Sequence, residues 1–160
     1  MEDSEVNCIS IISNLCKFSQ GVERDRLTYK FRENNYEKCE RLIEFYVKYS
    51  KKAKEALSLT QNKDDDEAES NKFDNGLFTL QTINFIIGFF LGDIKQDDIT
   101  KYFYSLFPLY DFEINKLVES LVELSKNLGE DLEIYNEDDV LISPKKLITS
   151  IIHNLKEKNN

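Results

Sequence analysis

Apolar residues at steps of three and four recur from one end of this 160-residue chain to the other, and no stretch sustains a period-two alternation. That spacing puts the apolar side chains of a helix on one face, where they pack on other helices. Helix breakers are scarce, with five glycines and two prolines, so most helices can run long. The chain is therefore expected to be all-α, with about seven helices in antiparallel hairpins. Its hydrophobic fraction of 41% is enough for a packed core.

The first helix is predicted over 4–18, with Val6, Ile9, Ile12 and Cys16 as its stripe and Leu15 widening it. Ser19-Gln20-Gly21 ends it. A short charged helix follows over 22–31, with Leu27 and Phe31 four apart. The third and longest runs 35–57. Its stripe is Tyr36, Cys39, Ile43, Tyr46, Ser50, Ala53 and Leu57, thickened by Leu42, Tyr49 and Ala56. Residues 59–73 include four consecutive acids, Asp64, Asp65, Asp66 and Glu67, and read as a solvated, mobile loop.

A three-helix unit is predicted over 74–129. Its first helix, 74–91, is so apolar that it must be buried on nearly all sides; it is too short and too polar for a membrane span. Phe89, Phe90, Phe103 and Phe107 belong to the core on this reading. The second starts at Asp97 or Asp98 and stops before Pro108, and the third spans 111–128 with Gly129 at the C-terminal cap. Residues 130–142 are acidic and irregular. The final helix starts at Ser143-Pro144, an N-cap followed by an N1 proline, and presents Lys145, Lys146, Lys156 and Lys158 outward. The three helices before the loop, this unit and the tail over 130–160 are expected to pack as one body.

The net charge of −9 repels phosphate backbones and anionic membrane surfaces and suits a basic partner segment. Two acidic clusters are the candidate contacts for it: Asp64, Asp65, Asp66 and Glu67, and Glu130, Asp131, Glu137, Asp138 and Asp139. The first lacks calcium-loop spacing, since D-x-[DN]-x-[DN]-G and the closing Glu are missing. There is no glycine-rich phosphate loop and no Gly-x-Ser-x-Gly elbow. The single histidine, His153, has no partner at ligand spacing. No catalytic residue, metal or cofactor is expected. Cys8, Cys16 and Cys39 are odd in number and form no Cys-x-x-Cys pair, which points to a reducing compartment.

The run from Glu33 to Glu44, ENNYEKCERLIE, continuing to Lys48-Tyr49, resembles the E-N-D-x-E-K-V-x-R-L-M-E…K-Y stretch of the beta-catenin-like protein 1 family. Upstream, Arg24, Arg26, Leu27, Lys30 and Phe31 resemble its R-x-R-L-x-x-K-F segment. Downstream, Asp74, Gly76, Leu77, Phe78, Leu80, Gln81 and Ile83 resemble its D-A-G-L-F-x-L-Q-x-I, and Asn127-Leu128-Gly129 its N-I-G. The resemblance runs from about Cys8 to Glu130. It implies an armadillo-like α-solenoid segment, a fragment or shortened homologue of a longer chain.

By that resemblance the chain is a non-catalytic, nuclear, spliceosome-associated scaffold. Its partners are then splicing factors with basic localisation-type segments, a Myb-related one among them, and in vertebrates an antibody-diversifying deaminase. Armadillo peptide grooves use Trp and Asn, and this chain has no Trp, which places the main groove of such a protein in earlier repeats. The alternative is a structural role, as the C-terminal cap of a solenoid or a self-association module with no external partner.

Overall fold

The computed structural model describes residues 2–60, 76–94, 96–128, 134–135 and 141–160. Among the described residues there are six α-helices: α1 (Glu2–Phe18), α2 (Gly21–Thr60), α3 (Leu77–Gly92), α4 (Asp97–Leu106), α5 (Ile114–Asn127) and α6 (Pro144–Lys158). A 3₁₀ turn, Phe107–Leu109, follows α4 at Pro108, whose missing N–H and fixed φ end the helix. The class is all-α, as the periodicity predicts. Residues 134–142, predicted irregular, contain a short antiparallel ladder in which Ile134 pairs with Ile142 and Tyr135 with Leu141.

The two helices predicted over 22–31 and 35–57 form one element, α2, broken at its middle. Glu33 is extended, at φ −57° and ψ 148°, and Asn34, Asn35 and Tyr36 are left-handed, at φ 52°, 56° and 61°. Four non-helical residues separate a first limb, 21–32, from a second, 37–60. Asparagine tolerates the left-handed region through local hydrogen bonding, whereas a tyrosine there is strained. Counting the limbs separately gives the seven helical segments of the prediction. The second limb continues through Leu59 and Thr60, past the predicted start of the loop.

At the centre lies α3. α1, α2, α4, α5 and α6 all pack against it, and everything from Ile83 to Gly92 is buried. At a rise of 1.5 Å per residue its 16 residues span about 24 Å. No helix among the described residues is long and apolar enough to cross a membrane. Phe89, Phe90 and Phe103 are fully buried and Phe107 nearly so. They continue an aromatic chain in which Phe31 lies 4.1 Å from Phe90 and Phe107 stacks on Phe112 at 4.3 Å. Buried residues of all six helices join in one core.

Two stripe assignments shift by a residue or two. In α1 the buried positions are Ile9, Ser13 and Cys16, while Leu15 is 45% exposed. In α2 Leu42, Tyr49 and Ala56 are buried and Leu57 lies at the surface. The inward edge of a broad helical stripe is set by the neighbour it meets, which periodicity does not specify.

Glycine brings α6 against α3. A Cβ on Gly92 would lie 3.0 Å from Ile151 Cγ2, 3.1 Å from its carbonyl oxygen and 3.2 Å from its Cα. The α6 tail then closes the C-terminal end of α3, whose last carbonyls have no intrahelical partner. Asn154 Nδ2 donates to the Gly92 carbonyl at 2.7 Å, and Lys158 Nζ to the Leu91 carbonyl at 2.9 Å. Lys158 is thus turned back onto α3, where a cation offsets the negative helix end, and not outward as predicted. At the other end of α6, Ser143 Oγ accepts from Lys146 N at 3.1 Å, the predicted cap.

Candidate functional site

The nine acidic residues predicted as the contact, Asp64, Asp65, Asp66, Glu67, Glu130, Asp131, Glu137, Asp138 and Asp139, lie outside the described residues. So does Gly129, the predicted cap. The described part of the chain presents two other polar features: a network at the break in α2 and a groove along its second limb.

The network ties the break to α4. Arg32 grips Asp98 with two donors, Nε to Oδ2 at 2.6 Å and Nη2 to Oδ1 at 2.9 Å, and Nη2 also donates to Gln96. The Tyr36 hydroxyl donates to Asp98 Oδ2 at 3.0 Å, and its ring stacks on Tyr102 at 4.7 Å. These contacts from α4 hold Tyr36 in its strained conformation. Hydrogen bonds from the Arg32 guanidinium, then from Tyr36, keep the Asp98 carboxyl well below the ordinary carboxylate range. On the same limb Arg24 pairs with Asp93 and lies over the Phe89 ring at 4.8 Å. The Arg32 and Tyr36 donors named here meet acceptors of the same chain, while Arg24 Nε is buried without a partner; the network is a brace.

The groove runs between the second limb of α2 and α5, floored by the first half of α3, with a volume of about 600 Å³. Its apolar lining includes Val47, Leu57 and Leu80. Lys51 and Lys54 stand on the α2 side, Glu119 and Glu123 on the α5 side. Lys51 faces Glu55 at 4.0 Å, an exposed pair of little strength, and the α5 lysine in the groove, Lys116, is paired with Glu113. In the floor Asn84 is 4% exposed; its Nδ2 donates to Ser120 Oγ at 3.0 Å and its Oδ1 finds no donor. Sequence reasoning missed this site. The signals were there: a lone Asn inside the most apolar stretch, and Glu119 and Glu123 one turn apart off the Leu117–Leu121 stripe.

Among the described residues, the histidine is paired and two of the three cysteines are buried. His153 is exposed and sits 3.2 Å from Glu157 on the next turn. Burial pushes the Cys39 thiol up to about 12, and its Sγ donates weakly to the Phe31 carbonyl at 3.7 Å. Burial raises the Cys16 thiol as well. All three cysteines are free thiols, Cys8 exposed and the others buried, and burial accounts for those two without reference to a compartment. Among the described residues no group of three or more His, Cys, Asp or Glu is placed to hold a metal.

Residues 1–124 match the sequence profile of a family described as catenin-beta-like, Arm-motif containing nuclear. Similar proteins include the beta-catenin-like protein 1 of Bos taurus and of Homo sapiens, each 31% identical over 100 residues, and that of Rattus norvegicus, at 32%. Those stretches cover 54% of this chain and 18% of each relative, so the chain matches less than a fifth of their length. The matched run takes in the brace at the α2 break, the Gly76-Leu77-Phe78 start of α3 and the α5 wall of the groove through Glu123. With three quarters of its residues matched and an all-helical core around α3, the chain belongs to the catenin-beta-like, Arm-motif containing nuclear family.

Proposed function

We propose that the chain is a non-catalytic, protein-binding scaffold segment of a nuclear, spliceosome-associated Arm-type protein. Its partners are splicing factors with basic localisation-type segments, and the two acidic runs, 64–67 and 130–139, contact them. Segments 1–58, 59–73, 74–129 and 130–160 act together as one unit. Membership of a nuclear Arm-motif family carries the reading, and the net charge of −9 supports it by favouring basic partners over nucleic acid or membrane. Arm-type repeats bury a continuous core and offer extended surfaces to other chains, a design for binding. Capture from nuclear extract on the immobilised chain, read by mass spectrometry, is expected to enrich splicing factors. Folded chain that enriches none contradicts it.

The α6 tail favours a second reading, a structural cap. Lys158 and Asn154 close the carbonyl end of α3, and Ile148, Ile151 and Leu155 face inward, as suits the last helix of a stack. If the cap also mediates self-association, light scattering will show mass rising with concentration; a constant monomer mass removes that version.

A further inference from the structure

The walls of the groove carry opposite charge. Lys51, Lys54 and Glu55 lie on the α2 wall, with Lys51 loosely paired to Glu55, and Glu119 and Glu123 lie on the α5 wall, where Lys116 is engaged by Glu113. Between them the lining is apolar, with Val47 and Leu57 well exposed and Leu80 half-buried. A wholly basic segment satisfies the α5 wall and is repelled by the α2 wall; a wholly acidic one meets the reverse problem.

We propose that this groove is a docking site for an amphipathic helix of a partner protein. Its apolar stripe is flanked by Lys or Arg on one side and by Glu or Asp on the other. The apolar stripe settles on Val47, Leu57 and Leu80, the basic flank on Glu119 and Glu123, and the acidic flank on Lys51 and Lys54. A helix is the matching shape because the groove is a valley between two helices floored by a third, the form into which side-chain ridges of another helix pack. The opposed charges fix the direction of the bound helix, since reversing it would place like charges against each other. The groove's lining uses none of the residues of the acidic runs proposed above, and the assignment stands or falls independently of them.

The test uses three helical peptides about five turns long with one leucine stripe, differing only in flanks: lysine and glutamate on opposite sides, lysine on both, or glutamate on both. Fluorescence anisotropy against the whole chain is expected to rank the mixed peptide about tenfold tighter than either single-sign peptide. In the double variant Glu119→Lys, Glu123→Lys both walls are basic, and the all-glutamate peptide should become the tightest. Val47→Asp, at an exposed position, should abolish binding of all three. The proposal is overturned by failure of every peptide to bind, by an all-lysine peptide that binds as tightly as the mixed one, or by a ranking the double variant leaves unchanged. Splicing factors captured equally well by the Val47→Asp chain would leave the basic-segment reading intact and show that it does not use this groove.

Discussion

Tyr36 sits at φ 61°, in a region that tyrosine avoids, and three contacts hold it there: its hydroxyl on Asp98, its ring on Tyr102 and the Arg32 grip on the same carboxylate. Asp98→Asn removes the charge both donors need and is expected to cost about 1 kcal/mol, the scale of a well-formed but partly exposed ion pair. Because the folded Asp98 lies below the ordinary carboxylate range, its contribution is fully present above the unfolded value near 4 and is lost as pH falls below it. Urea titrations should therefore show the gap between wild type and Asp98→Asn constant from pH 6 to about 5 and narrowing as pH falls through about 4 toward the lower folded value. Asn35→Ala gives a result whose sign decides. In a continuous helix alanine would stabilise by about 0.5 kcal/mol; at φ 56° it should destabilise by about 1 kcal/mol. A gap over 32–34 between two helices was legible, although Asn35, read as the start of the next helix, is left-handed too. The left-handed Tyr36 was not, because its strain is balanced by residues more than sixty positions away.

Among the elements, α3 organises the rest. Its sequence told of burial on nearly all sides, since LFTLQTINFIIGFFLG has no continuous polar face to show to water. Which helix meets which side was not legible, and the glycines decide it. Gly92→Ala forces a Cβ onto the backbone of Ile151, which has no room to yield, and should cost about 2 kcal/mol in urea unfolding. At Gly88 the nearest atom, 2.9 Å away, is Leu121 Cδ1, the end of a flexible side chain, so Gly88→Ala should cost less. Equal losses at the two positions would mean that α6 does not approach α3 as closely as described. The α6 helix itself was readable from Ser143-Pro144 and its apolar spacing, but the Lys158 contact depends on where α3 ends, and no local pattern encodes that.

For the whole molecule, the helical class and the family resemblance were both readable in the chain, and the fold and the family profile agree with them. The groove was not, because its lining comes mainly from three helices, with residues more than seventy positions apart, and only the assembled core puts them side by side. Charge named the two acidic runs, which lie outside the described residues, and not the groove. Isothermal titration of the chain with a basic localisation-type peptide, repeated as sodium chloride is raised, tests the binding assignment most directly. Measurable binding that weakens steeply with salt is the expected result. No heat of binding at low salt, with the chain folded, would contradict it.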